Sequence, residues 1–286
     1  MSQPFVAACV QLRSGTDPME NLRVTSDLVR QAAAEGATYV QTPEMTNLLQ
    51  RDRAALRAVL AGEDEDISVR AFSALAAELG IVLHVGSLAI ALPDGKIANR
   101  AFVFGRSGEL LARYDKIHLF DVDLPGGQSW RESAVYSPGG EALVVDLPWC
   151  RAGISICYDL RFPHLFRAQA HAGAAVLTVP SSFTRQTGEA HWSVLQRARA
   201  IENGAFVISA AQAGKHQDGR ETFGHSLIVS PWGEVLAEAA GEGPEVILAE
   251  IDPAQSTDAR QRIPSLLNER AFTAPEAAPP AVQLAS

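Results

Sequence analysis

One cysteine lies where it could act as a nucleophile. Cys157 closes the apolar run AGISIC and is followed at once by the polar cluster YDLRFP. This pattern predicts a buried strand, then a sharp turn that opens a helix at Pro163. Reactive cysteines often occupy such turns, because N–H groups at a helix N-terminus favour the thiolate and can receive an oxyanion. The competing interpretation is a small buried hydrophobic side chain, since many free cysteines are simply buried.

Two other ionisable residues lie in unusual sequence surroundings. Glu44 directly follows the strand-like run ATYVQTP, and Lys116 lies within the stretch LARYDKIHLF. Taken singly, each also fits an ordinary interpretation, because glutamates often cap or cover a surface and Lys116 has Asp115 beside it.

Together the three segments resemble a known family. TPEMTN, YDKIHLFD and GISICYDLRFP, which contain Glu44, Lys116 and Cys157, are similar to the three signature segments of the nitrilase superfamily of carbon–nitrogen hydrolases, in the same order. The resemblance runs from Phe5 to about Leu267. Within the superfamily the sequence is most similar to the amidase branch of deaminated glutathione amidases and omega-amidases.

The resemblance implies a catalytic role for four side chains. Glu44 would be the general base that takes the proton of Cys157, and the thiolate would then attack an amide carbonyl. Lys116 and the backbone N–H of Tyr158 would stabilise the oxyanion. Glu132, in the segment SWRES, would hold Lys116 and orient the substrate. Ammonia would leave, and water would release the acid from a thioester on the cysteine.

The resemblance also implies a substrate-binding set: Tyr158, Arg161, Phe183 and Thr187. A guanidinium at Arg161, four residues after the cysteine, suits bidentate capture of a substrate carboxylate. An equally open interpretation is a structural ion pair of Arg161 with Asp159 or Glu189.

Other chemistries remain open in the sequence. A cysteine–histidine pair is one alternative, since such pairs activate many thiols. Its candidate histidines are His118, His164, His191 and His225. The preferred substrate is a small amide, such as deaminated glutathione or an α-keto acid amide. A nitrile, an N-carbamoyl compound or an aliphatic amide is the alternative, and a non-catalytic binding protein of the same fold is a third possibility.

Composition narrows the classes of partner. The 286 residues are 47% hydrophobic and 20% charged, with a net charge of −9 and a pI near 5.3. Nucleic acids and anionic membranes favour a basic face, so neither is an expected partner. No apolar run reaches the roughly 20 residues of a membrane span. The first residues do not resemble a signal peptide, and we expect a cytoplasmic protein.

Cofactor and metal motifs are not found in the sequence. Cys9, Cys150 and Cys157 form neither an even disulfide set nor a C-x-x-C pair, which indicates free thiols in a reducing compartment. The seven histidines lack zinc-site spacing, and there is no glycine-rich nucleotide motif. We therefore expect neither a metal nor another cofactor.

The element pattern predicts an α/β protein. Four helical stretches end in glycine, and a strand-like run follows each within a few residues. These glycines are Gly36, Gly80, Gly173 and Gly204. Turn signals at 92–96 and 105–109 indicate hairpins, so the sheets should be mixed. We predict a four-layer α-β-β-α sandwich over 1–272 and a flexible tail over 273–286. The family resemblance implies a homodimer or larger homo-oligomer.

Overall fold

The computed structural model describes residues 3–124 and 127–275. In these ranges there are six α-helices and seventeen β-strands. The helices are α1 Pro18–Ala34, α2 Arg53–Val59, α3 Ile67–Leu79, α4 Pro163–His171, α5 Arg185–Asn203 and α6 Ala254–Arg262. The strands are β1 Phe5–Gln11, β2 Tyr39–Gln41, β3 Val82–Ala91, β4 Ile97–Phe104, β5 Leu110–Asp115, β6 Asp121–Leu124, β7 Gln128–Arg131, β8 Tyr136–Ser137, β9 Leu143–Asp146, β10 Arg151–Ile154, β11 Ala174–Thr178, β12 Phe206–Ser209, β13 Ala213–Lys215, β14 Glu221–Phe223, β15 Leu227–Val229, β16 Val235–Glu238 and β17 Glu245–Ile251.

The strands form two large mixed sheets. The first has the order β17-β1-β2-β3-β4-β5, with β8 beside β4. The second has the order β16-β15-β12-β11-β10-β9. In each sheet three central strands are parallel, and the outer pairings are antiparallel except for that of β8 with β4, which is parallel. Two short hairpins, β6-β7 and β13-β14, stand apart from them.

The two sheets pack face to face, with helices on their outer sides. One buried cluster joins Tyr39 and Val82 of the first sheet to Ile154 and Phe206 of the second. A separate cluster fills the space between the first sheet and helices α1 and α3. Helices α4 and α5 cover the second sheet, where Trp192 is buried. The predicted α-β-β-α sandwich is confirmed.

The predicted element ends agree with the structure at several points. Gly80 and Gly204 adopt left-handed conformations at the ends of α3 and α5. The turn at 92–96 joins β3 to β4, and that at 105–109 joins β4 to β5. Helix α5 begins at Arg185, directly after its N-cap residue Thr184.

The predicted tail, 273–286, lies mostly outside the described residues. Its first three residues, 273–275, have no regular secondary structure, and 276–286 are not described. None of the helices in the described ranges is long and apolar enough to cross a membrane.

Candidate active site

Cys157 lies on a tight turn directly after β10. The chain enters a short 3₁₀ segment, Cys157–Arg161, before α4 begins at Pro163. The cysteine has φ of 48°, which is uncommon for a residue with a side chain and is found often at functional sites. Its backbone N–H donates to the Pro180 carbonyl over 2.9 Å, which ties the turn to the end of β11. The predicted sharp turn after a strand is thus present.

The buried carboxylate of Asp159 holds this turn in shape. It accepts hydrogen bonds from the backbone N–H of Ile156 at 2.8 Å and from Tyr114 Oη at 2.7 Å. His118 Nδ1 lies 2.6 Å from its other oxygen. Since Tyr114 belongs to β5 of the first sheet, Asp159 fixes the cysteine turn relative to both sheets.

Glu44 follows β2 on a turn that the neighbouring strand supports. The next residue, Met45, has φ of 56°, and its N–H donates to Ser87 Oγ over 2.9 Å. Gly86 makes this approach possible, because a Cβ there would lie 2.1 Å from the Thr42 carbonyl oxygen. The turn presents the Glu44 carboxylate to the interior, where the residue is only 4% exposed.

Lys116 joins the two predicted carboxylates. Its Nζ lies 2.8 Å from Glu44 Oε1 and 2.9 Å from Glu132 Oε2. The lysine side chain is 2% exposed, which excludes the interpretation of Lys116 as a surface residue. One ammonium therefore forms ion pairs with two buried or nearly buried carboxylates.

Asn99, in the middle of β4, completes this cluster. Its Nδ2 donates to Glu44 Oε1 over 2.8 Å and to Glu132 Oε1 over 3.1 Å. The backbone N–H of Phe120 donates to the other oxygen of Glu132 over 2.6 Å. The sequence analysis missed Asn99 and Asp159. Asn99 occupies an ordinary strand pattern, and Asp159 was considered only as a partner for Arg161.

Burial and the neighbouring charges set the protonation states of Cys157 and Lys116 in the site without substrate. Burial, and then the Glu44 carboxylate, raise the pKa of the Cys157 thiol well above its usual value, and the Lys116 charge offsets this only in part. Burial lowers the pKa of Lys116, but the carboxylates of Glu132 and Glu44 outweigh it and raise that pKa well above its ordinary value. The resting site thus holds a neutral thiol beside a charged ammonium.

These four side chains line one open cavity of about 430 Å³. That volume falls within the range of about 300–1,000 Å³ typical of small-molecule sites. The other lining residues among those described are Met45, Leu48, Leu49, Gln50, Arg51, Arg53, Leu56, Phe120, Ser129, Trp130, Arg131, Val135, Tyr136, Ser182, Thr184, Arg220, Glu221 and Thr222.

The predicted substrate-binding residues lie beside this cavity, and none is part of its described lining. Arg161 extends over the rings of Tyr158 and Phe183, with its guanidinium carbon 5.9 and 5.6 Å from their centroids. It also faces His191 Nδ1 at 3.3 Å. Thr187 is buried next to Thr184 in the first turn of α5. No carboxylate in 3–124 or 127–275 lies within 4.0 Å of the Arg161 guanidinium.

The candidate histidines do not approach the sulfur as a base would. None of the four is among the described residues that line the cavity. His118 bonds to Asp159, and His225 Nδ1 lies 3.0 Å from Glu238. The geometry therefore favours a carboxylate base over a cysteine–histidine pair. Within the part of the chain that the structure describes, no cluster of His, Cys, Asp and Glu forms a metal site.

Comparisons with known proteins agree with this geometry. The family model described as "Carbon-nitrogen hydrolase" matches residues 6–261. The chain is 38% identical over 268 residues to deaminated glutathione amidase of Synechocystis sp., covering 92% of this chain and 97% of that one. It is 38% identical over 269 residues to omega-amidase NIT2 of Homo sapiens, covering 93% and 95%.

Solved structures agree as well. Nit3 of Saccharomyces cerevisiae, a member of the nitrilase superfamily, matches with a TM-score of 0.84 and 32% identity, over 94% of this chain and 97% of that one. The chain belongs to the carbon–nitrogen hydrolase family of the nitrilase superfamily. It is an enzyme of the amidase type, as the resemblance in the sequence predicted.

Proposed function

We propose that this enzyme hydrolyses the carbon–nitrogen bond of a small carboxamide through a thioester on Cys157. The observation that carries the proposal is the contact of one ammonium, on Lys116, with both Glu44 and Glu132 in the wall that also holds the thiol. These are the parts that covalent acyl transfer requires: a nucleophile, a base and a fixed positive charge.

In the first half-reaction Glu44 takes the thiol proton as the sulfur attacks the carbonyl carbon. A new C–S bond forms, and the carbonyl oxygen becomes an oxyanion that Lys116 and the backbone N–H of Tyr158 stabilise. Loss of one such donor typically costs about 3–4 kcal/mol in the barrier. Glu44 then donates its proton to the nitrogen, the C–N bond breaks, and ammonia leaves.

In the second half-reaction water enters the vacated position. Glu44 takes a proton from the water as its oxygen attacks the thioester carbon. The C–S bond breaks, Glu44 returns that proton to the sulfur, and the acid leaves. Glu132 takes no proton in this scheme. With Asn99 it holds Lys116 in place through both half-reactions.

The substrate proposed is a carboxylate-bearing amide. Support comes from the names of the relatives, deaminated glutathione amidase and omega-amidase. Deaminated glutathione and an α-keto acid amide are the first compounds to test. The same Glu-Lys-Cys chemistry would serve a nitrile, an N-carbamoyl compound or an aliphatic amide, which form the comparison panel.

Ammonia release from this panel tests the function. We expect the carboxylate-bearing amides to give the highest kcat/KM. The Cys157→Ala variant should retain the fold, as seen by circular dichroism, and release no ammonia above background. Turnover by that variant, or no ammonia from any compound with the wild-type enzyme, would reject the proposal.

We also propose a reducing, cytoplasmic location and a homodimer or larger assembly. The three free cysteines support the first point. Exposed apolar side chains on α5 and on the β15–β16 turn support the second, with Val194 at 69% and Trp232 at 52% exposure.

A further inference from the structure

The described lining of the cavity has more cations than carboxylates, although the chain as a whole is acidic. The protein has a net charge of −9. Yet the described residues that line the cavity include five cations and three carboxylates. The cations are Lys116, Arg51, Arg53, Arg131 and Arg220, and the carboxylates are Glu44, Glu132 and Glu221. An excess of cations in the lining of a cavity favours negatively charged ligands.

These cations differ in whether a carboxylate of the protein already pairs with them. Lys116 is committed to Glu44 and Glu132, and Arg131 makes a double contact of 2.9 Å to both oxygens of Asp123. No carboxylate among the described residues lies within 4.0 Å of the guanidinium of Arg51 or Arg53, and both residues are exposed. The Arg51 guanidinium carbon lies 5.1 Å from the Trp130 ring centroid.

Arg220 is the best oriented of the arginines. Its side chain is 20% exposed, and its Nε donates to Asp218 Oδ2 over 2.6 Å. Asp218 is fixed in turn, since it is 2% exposed and its other oxygen accepts the backbone N–H of Arg220 over 3.0 Å. Within the described residues the two terminal nitrogens of Arg220 make no hydrogen bond. The guanidinium is therefore held at one edge, and its other edge is free for a bidentate partner.

The position of Arg220 suits an anchor for a remote part of the substrate. It lines the same cavity as Thr222 and Cys157. Burial raises the pKa of Tyr136, another lining residue, and the Arg220 charge offsets this in part. Arg161, in contrast, is directed toward His191 and lies outside the lining.

We propose that Arg220 binds a carboxylate of the substrate and so selects anionic amides, while Arg51 and Arg53 strengthen the positive potential at the exposed part of the cavity. This inference rests on the proposed amidase function and names the residue that sets its specificity.

The test compares two substrates of nearly equal shape, glutaric acid monoamide and glutaric diamide. In Arg220→Gln we expect KM for the monoamide to rise about tenfold or more, because a charged hydrogen-bonded pair is lost. We expect kcat to change little, and KM for the neutral diamide to stay within about twofold. Arg220→Lys should recover part of the loss, since it restores the charge without the fork.

Three further variants make the result specific. Asp218→Asn/Arg220→Gln removes the buried pair as a unit, so a folding defect from an unpaired Asp218 cannot mimic the effect. Arg57→Gln, on α2 with its guanidinium on the Gly95 carbonyl and outside the cavity lining, should match the wild type. Arg161→Gln tests the competing assignment, in which Arg161 binds the substrate carboxylate. If it alone removes the preference for the monoamide, or if Arg220→Gln raises both KM values equally, the inference is wrong.

A binding measurement separates this inference from the proposed function. Glutarate should protect Cys157 from iodoacetamide in the wild type, and about tenfold more glutarate should be needed in Arg220→Gln. If no compound of the amide panel yields ammonia but this difference is found, the amidase proposal fails and the carboxylate site stands. Equal protection in the two proteins would overturn the assignment of Arg220.

Discussion

The Lys116 ammonium lies between two carboxylates, and this arrangement decides how the cysteine is activated. A preformed thiolate would add a third negative charge to a site with one cation. The raised pKa of Cys157 reflects that cost, with burial as its first cause. In the proposed mechanism the thiol therefore stays protonated until a substrate is bound and Glu44 removes the proton. This differs from a thiolate–imidazolium pair, in which the sulfur is ionised before the substrate arrives.

Replacing Glu44 should lower the pKa of the Cys157 thiol and also lower kcat. In Glu44→Gln the pKa of Cys157 falls, because the carboxylate that raises it is gone while the Lys116 charge remains. The midpoint of iodoacetamide labelling should move to lower pH, yet kcat should drop by about 10²–10⁴ because the base is lost. Glu189→Gln, on the exposed side of α5, is the matched control. Unchanged turnover, or a midpoint that moves to higher pH, would contradict the role of Glu44.

At the scale of the elements, the strand ends position the site. The turns that carry Glu44 and Cys157 follow β2 and β10, which both have parallel partners, and the two residues line the same cavity. A polar contact across the sheets fixes their relation, since Gln41 of β2 accepts the backbone N–H of Ala210 over 2.8 Å. Sequence patterns located these strands, but they could not show that Asn99 would reach both glutamates across the first sheet.

Helices α2 and α6 and the first turns of α5 have weak helical signals in the sequence. Helix α2 buries only Leu56, and α6 buries only Ser256 and Ala259, so neither has a strong apolar periodicity. The first turns of α5 contain Gly188, which is unfavourable in a helix by propensity. The structure needs glycine there, because a Cβ would lie 2.2 Å from the Phe223 ring.

His84 of β3 should make the protein less stable in mild acid. The imidazole is fully buried, and its Nδ1 lies 2.9 Å from Tyr39 Oη and 3.2 Å from Gln41 Nε2. Both neighbours can donate, so Nδ1 accepts and the ring is neutral. Burial lowers its pKa to about 3. Between that value and about 6.5 the unfolded chain binds a proton that the folded chain does not, so stability falls as the pH is lowered.

Urea unfolding at pH 7 and pH 5 measures this effect. We expect the unfolding free energy of the wild type to fall by about 2 kcal/mol more than that of His84→Gln between these pH values. The variant has no imidazole to titrate at that position. The difference between the two proteins therefore removes the contribution of the other acid-sensitive groups to the unfolding free energy. An equal fall in both proteins would show that His84 does not resist protonation.

At the scale of the whole molecule, similarity to a known family predicted more of the structure than the periodicity of apolar residues did. Turn and strand signals indicated mixed sheets, and the number of strands favoured two layers of sheet. The three signature segments identified the family, and they predicted a role for Glu44, Lys116 and Cys157, which the structure brings together in one cavity. The cavity lining was less accessible to sequence reasoning, because Arg51 and Arg220 approach it from loops that are distant along the chain. The predicted substrate residue Arg161 was close in sequence to the cysteine, but its side chain turns toward His191.

Assembly should depend on the outer face of α5. Val194 and Ile201 lie seven residues apart, hence on one side of the helix, and Ile201 packs beside Gly233 next to exposed Trp232. We expect Val194→Asp/Ile201→Asp to lower the mass measured by light scattering from a dimer or larger assembly toward 30.5 kDa. Met19→Asp, an equally exposed apolar site on α1, should not. A wild type that is already monomeric would refute the predicted oligomer.

A rapid acid quench during turnover, followed by peptide mass spectrometry, tests the central claim most directly. With a carboxylate-bearing amide as substrate, the peptide that contains Cys157 should carry an added mass equal to the substrate less ammonia, and hydroxylamine should remove it. The same peptide should remain unmodified in Lys116→Gln, which lacks the cation at the oxyanion. Steady release of ammonia by the wild type with an unmodified Cys157 peptide at every quench time would contradict the account.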